Sequence, residues 1–126
     1  MSRTVLVIED DADIRELAIC LLERAGFTAL TVDCGEAALA LLAETSVVLV
    51  IQDIMLPGID GWEIVRRLRA EAATAHLPVL VFTVHSEEVV LEHSGYASVQ
   101  GRIPKPFTRE AFLAAVEGAF AAECPA

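Results

Sequence analysis

A chain of 126 residues can hold one hydrophobic core and is too short for two, and its 55% hydrophobic and 22% charged residues, with seven Gly and five Pro, exclude a disordered or collagen-like polymer. Nine basic against nineteen acidic side chains leave a formal charge of −10, which repels nucleic-acid phosphates and anionic membranes and favours a cation or a basic partner. Cys20, Cys34 and Cys124 have neither disulfide nor zinc spacing, no signal-peptide pattern opens the chain, and its apolar runs are too short to span a bilayer; a cytoplasmic protein with reduced, mostly buried thiols is expected.

Short β-branched runs alternate with segments of helical period, the pattern of βαβ units around a parallel sheet. The first strand is Thr4–Ile8. Ile14, Leu17, Ala18, Leu21 and Leu22 then recur at i, i+3, i+4, i+7 and i+8, one apolar stripe on a helix that Gly26 ends. Cys20 falls between those positions, where a small buried side chain is expected. A second strand, Thr28–Val32, precedes an Ala- and Leu-rich helix near Gly35–Glu44. The third strand, Val47–Ile51, leads to a helix opening at Asp60, where Asp60 and Glu63 have capping-box spacing and Trp62, Val65 and Leu68 face inward. Pro78–Phe82 is the fourth strand. The first, third and fourth are nearly all apolar, as strands covered on both faces are.

Within Ser86–Gly101 a short or mobile helix is expected, because Ser94, Gly95 and Ser98 weaken it. A fifth strand at about Val99–Pro104 and a last helix from its N-cap Thr108, with Phe112, Val116 and Phe120 on the core face, complete the chain. Five β–α pairs in this order fit an α/β doubly wound sheet of strand order 2-1-3-4-5, which binds ligands outside the C-terminal ends of its strands. Residues 1–126 are read as one domain.

Those ends carry Glu9-Asp10-Asp11 after the first strand, Asp53 after the third, Thr83 after the fourth and Lys105-Pro106 after the fifth. Carboxylates crowded into a partly desolvated rim raise one another's pKa unless a cation neutralises them. Mg²⁺ suits two or three acids beside a phosphoryl group, and Ca²⁺ is weaker here because no EF-hand loop is present. A carboxylate can also attack phosphorus, and Asp53, between a buried strand and the tight loop Met55-Leu56-Pro57-Gly58, is best placed to do so. Phosphoryl transfer asks mainly for positioning and charge neutralisation, to which Lys105 and Thr83 add an ammonium and a hydroxyl.

The segments Val5-Leu6-Val7-Ile8-Glu9-Asp10-Asp11, Gln52-Asp53-Ile54-Met55-Leu56-Pro57-Gly58-Ile59-Asp60-Gly61, Val81-Phe82-Thr83 and Pro104-Lys105-Pro106-Phe107 resemble the blocks of bacterial response-regulator receiver domains, in order and at receiver spacing. The resemblance covers nearly the whole chain and implies a flavodoxin-like fold. It implies that Asp53 is the phosphoacceptor, that Asp10 binds the metal directly and Glu9 through water, and that the Met55 carbonyl is the remaining protein ligand. Thr83 then matches the switch hydroxyl and Lys105 the phosphate-binding lysine, with a cis peptide before Pro106. The implied partners are a sensor histidine kinase or histidine phosphotransfer protein and a downstream protein target; homodimerisation is left open. Such a chain is a signalling switch that promotes its own phosphorylation and dephosphorylation, with no output domain after the last helix.

Three positions depart from the receiver pattern. Val84 stands where receivers mostly carry a small residue, Arg102 replaces the usual switch aromatic, and Ser98-Val99-Gln100-Gly101 replaces the Gly-Ala-Asp stretch before the fifth strand. With Met55, which offers no polar group to orient water two residues past Asp53, Val84 predicts a long-lived acyl phosphate. Asp11 and Asp13 read as helix-capping acids, His76, His85 and His93 as histidines without a metal role, and Trp62 as a packing or surface aromatic. Three rival functions compete with this reading. A degenerate receiver would lack some acceptor-site side chains, all of which are present. A haloacid-dehalogenase-like phosphatase would need an Asp-x-Asp pair, and a flavodoxin-like nucleotide carrier a first loop free of Glu9-Asp10-Asp11.

Overall fold

The computed structural model describes residues 3–54, 61–83 and 99–123. Its strands are β1 (Thr4–Ile8), β2 (Thr28–Val32), β3 (Leu49–Asp53), β4 (Val79–Thr83) and β5 (Gly101–Pro104), and its helices are α1 (Ala12–Arg24), α2 (Gly35–Glu44), α3 (Gly61–Ala70) and α4 (Arg109–Glu123). All strands pair in parallel in the order β2-β1-β3-β4-β5, the expected doubly wound sheet.

Alternation along the strands divides the core into two layers. Val5, Val7, Leu49, Ile51, Leu80, Phe82 and Ile103 pack against Ala18, Leu21 and Leu22 of α1 and Phe112, Val116 and Ala119 of α4. Leu6, Ile8, Val50 and Val79 face Ala38 of α2 and Ile64, Val65 and Leu68 of α3. The fully buried patterns of β1, β3 and β4 therefore follow from cover on both faces. β2, at the sheet edge, is only half-buried.

The caps match the sequence. Asp11 Oδ1 accepts from the Asp13 and Ile14 amides at 2.9 and 3.3 Å, so it starts α1 rather than joining an ion site. Thr108 Oγ1 accepts from the Ala111 amide at 3.0 Å at the start of α4. Trp62 is half-buried against Ile54 and Val81, a packing role.

Several boundaries and two burials differ from expectation. β3 begins at Leu49 and runs on through Gln52 and Asp53, because β1 and β4 flank Gln52 and β4 still holds Asp53 in the ladder. β4 is shifted by one, to Val79–Thr83, and β5 starts at Gly101. Cys20 is exposed rather than buried, and Leu17 is 46% exposed. The inward stripe of α1 centres on Ala18, Leu21 and Leu22; at about 100° per residue, Leu17 lies roughly 90° from that centre and Cys20 roughly 150°. The proposed capping box and the helix expected within 86–101 fall on Asp60 and a segment that, up to residue 98, lies outside the described residues. Glu63 itself pairs with Arg66 and, at 3.1 Å, with Arg67.

Among the described residues no helix is long and apolar enough to cross a membrane.

Candidate functional site

The site is built at the C-terminal rim of the sheet. Glu9 leaves β1 with its amide donating to Val32 O at 3.0 Å and its carbonyl accepting from Arg15 Nη1 at 2.9 Å, which fixes the turn into α1. The side chain consequently points inward: Glu9 is fully buried, and its Oε2 accepts from the Asp11 amide at 3.1 Å. Asp10 next to it is exposed. Asp53 ends β3 at 3% exposure and Thr83 ends β4 at 1%. Lys105 follows β5, its amide donating to Thr83 O at 2.8 Å, and the peptide to Pro106 is cis, as the resemblance implies.

Lys105 reaches back across the rim. Its ammonium donates to Asp53 Oδ2 at 3.3 Å and forms an ion pair with Glu9 Oε1, an oxygen that accepts no well-directed hydrogen bond among the described residues. The ammonium also lies 5.4 Å from the centroid of Phe82, whose ring stacks on Phe107 at 5.5 Å and leans on Phe112 at 6.0 Å. This aromatic base lies on one side of the lysine, where the negative ring face attracts the ammonium.

Carboxylate oxygens of Glu9, Asp10 and Asp53 all lie within 4.8 Å of one another. One ammonium cannot neutralise three carboxylates. Burial, followed by the neighbouring Asp53 carboxylate, pushes Glu9 from 4.5 up to about 7, while Lys105 pulls it down. The mismatch fits a small divalent cation: the donors are hard oxygens, one is exposed to keep water ligands, and the added charge would relieve the repulsion. Chemically, the arrangement offers a nucleophilic carboxylate, an ammonium to draw charge from a transferring group, and a hydroxyl on the adjacent strand end.

Sequence reasoning missed Gly61. A Cβ on this first residue of α3 would lie 2.3 Å from Asp53 O and 2.5 Å from Ile54 Cα, and the Gly61 amide donates to Ile54 O at 3.0 Å. Only glycine lets the start of α3 press onto the backbone that carries Asp53. A glycine in a first helical turn, where it is a poor former, was the available signal.

Other sequence candidates sit elsewhere. Met55, Val84, His85 and His93 lie outside the described residues. His76 is exposed, and Arg102 is half-buried on β5, in register with Val81. A groove of roughly 480 Å³ between Leu39 and Leu42 of α2 and Arg67 and Leu68 of α3 is at the opposite end of the strands and holds no acidic cluster.

A family model for the response regulator receiver domain matches residues 5–117. The chain belongs to the response-regulator receiver family. The receiver is 31% identical over 114 residues to the phosphate regulon transcriptional regulatory protein PhoB of Pseudomonas aeruginosa, covering 90% of this chain and 50% of that protein. It spans about half the length of the first curated relatives it matches. It is 30% identical to the chemotaxis protein CheY of the same organism, covering 92% of this chain and 94% of CheY. Its fold matches the response regulator TrrA of Thermotoga maritima, solved in complex with Mg²⁺ and BeF, with a TM-score of 0.84 at 26% identity over 93% of this chain and 98% of that one.

Proposed function

We propose that this receiver takes a phosphoryl group from a histidine kinase or histidine phosphotransfer protein onto Asp53 and thereby changes its binding to a downstream protein. The observation that carries the reading is the Asp53 carboxylate, nearly buried, 3.3 Å from the Lys105 ammonium and clustered with Glu9 and Asp10. In the transfer, an Asp53 oxygen forms a bond to phosphorus as the phosphorus–nitrogen bond of a phosphohistidine breaks, and the imidazole leaves with that electron pair. Lys105 screens the charge gathering on the phosphoryl oxygens, and the Thr83 hydroxyl donates to one of them. The Phe82 ring, stacked on Phe107, backs the lysine with its centroid 5.4 Å from the ammonium.

Glu9, Asp10 and Asp53 would hold Mg²⁺, with the Met55 carbonyl as the further ligand the family resemblance names. When bound, the cation neutralises charge shared between the carboxylates and the phosphoryl oxygens. The complex of TrrA with Mg²⁺ and BeF supports this reading. Residues 1–126 act as one receiver unit, at work in the cytoplasm, without direct contact to nucleic acid or membrane, in keeping with a formal charge of −10.

The test is incubation with acetyl phosphate or beryllofluoride and Mg²⁺. Wild type is expected to be modified or occupied, and Asp53→Asn to remain unchanged. Acid-stable label on a Ser or Thr would overturn the reading.

A further inference from the structure

β3 is buried on both faces, and Gln52 is a polar residue in its aliphatic run. It is fully buried, and Ile8 of β1 and Val81 of β4, both fully buried, flank it across the ladders. An amide in such surroundings is unfavourable unless hydrogen bonds replace the water it has lost. Among the described residues only half of it is satisfied: Nε2 donates to the Asp53 carbonyl at 2.9 Å, and Oε1 has no partner. The orientation follows from chemistry, since the reversed amide would set oxygen against oxygen.

The bond it makes falls on the peptide that carries the acceptor. Asp53 lies one residue beyond the last β1–β3 pair, Ile8 with Gln52, so the β1 ladder has ended where this carbonyl projects. The same oxygen is where a side chain at Gly61 would collide, at 2.3 Å. Gln52 Nε2 and the bare Cα of Gly61 thus bracket the Asp53–Ile54 peptide. Turning that peptide would swing the Asp53 carboxylate away from Lys105, now at 3.3 Å.

We propose that Gln52 is a positioning residue for phosphoryl acceptance, its side-chain amide locking the Asp53–Ile54 peptide and so the aim of the Asp53 carboxylate. The inference rests on the reading of Asp53 as acceptor. Gln52 acts through the backbone of its neighbour and touches no phosphoryl donor. Its loss therefore falls on the rate of the step, not on donor binding or on folding.

Gln52→Met keeps the length of the side chain and removes the amide; Gln52→Leu removes it with a different shape. Each is compared with wild type and Asp53→Asn for the rate of labelling by acetyl phosphate with saturating Mg²⁺, and for the midpoint of thermal unfolding. Both Gln52 variants should label about tenfold or more slowly at saturating acetyl phosphate, since small misplacements of reacting atoms have large kinetic effects. Their KM should change by less than about twofold, as expected when an interaction specific to the transition state is lost. Their unfolding midpoints should stay close to that of wild type, because loss of the bond to the Asp53 carbonyl is offset by removal of an unpartnered buried oxygen. Wild-type rates in both variants would overturn the proposal, and so would slow labelling accompanied by a lowered midpoint in both, which would make Gln52 a core-holding residue. Wild type that gains no label removes the acceptor reading, and this inference with it; labelled wild type, unlabelled Asp53→Asn and fast-labelling Gln52 variants remove the inference alone.

Discussion

Replacing Gly61 by alanine perturbs the contact between α3 and the acceptor strand with a single methyl group. The new Cβ would lie 2.3 Å from Asp53 O, 2.5 Å from Ile54 Cα and 2.9 Å from Asp53 C. All three atoms are backbone, so no neighbouring side chain can rotate to make room. Carbon contacts are favourable at about 3.5–4.0 Å, so α3 or the end of β3 must shift by roughly 1 Å. Forcing a methyl into a packed site costs about 1–3 kcal/mol. Alanine recovers up to about 1 kcal/mol over glycine in helix propensity, and less in a first turn. The net loss is about 1–2 kcal/mol, and with a urea slope of about 2 kcal/mol/M the unfolding midpoint should fall by roughly 0.5–1 M. A shift of this size at Asp53 should also slow labelling by acetyl phosphate by about 100-fold. Urea titration followed by Trp62 fluorescence, with labelling rates on the same samples, measures both. Gly61→Ala with a wild-type midpoint and a wild-type rate would refute the claim that this contact sets the acceptor.

Three further outcomes are expected. Glu9 is raised from 4.5 to about 7, so without metal the folded state binds the extra proton between those values; the contribution of Glu9 to stability is full below about pH 4.5 and is lost as pH rises through about 7. Added Mg²⁺ should therefore raise the unfolding midpoint more at about pH 8 than at about pH 5.5, and an equal rise at both would contradict the pKa assignment. Thr108→Ala removes the hydroxyl that accepts from the Ala111 amide, and should lower stability by about 1 kcal/mol in urea titration without changing the labelling rate. Val84→Ala and Met55→Asn should each speed loss of phosphate from the labelled protein, as measured after donor removal; unchanged hydrolysis in both would end the argument from bulk at the acceptor.

Much of the fold was legible because apolar runs and helical stripes report burial directly. β1, β2 and α2 match to the residue, since their boundaries coincide with changes in side-chain character. The end of β3 does not, because Gln52 and Asp53 are polar and belong to the strand only through neighbours on β1 and β4. Leu17 and Cys20 misled for a related reason: periodicity locates a stripe but not its width, and α1 meets the sheet over a narrow one. The side chains of the site were readable once topology was inferred, since a doubly wound sheet gathers its strand ends at one rim. Gly61 left only the hint of a glycine in a first helical turn, and its contact with the Asp53 backbone, the bond from Gln52 to the same peptide and the Phe82–Phe107 base under Lys105 were not readable. Each is a contact between side chain or helix and a particular backbone or ring position, and no spacing encodes it.

Phosphoryl acceptance by Asp53 underlies the labelling predictions. Its most direct test is to incubate the protein with a phosphorylated histidine phosphotransfer protein and Mg²⁺ and map the modified residue by peptide mass spectrometry. A single phosphoryl group is expected, released by hydroxylamine as an acyl phosphate is, in the peptide containing Asp53, and none in Asp53→Asn. A stable phosphoryl group on any other residue, or equal labelling of Asp53→Asn, would contradict it.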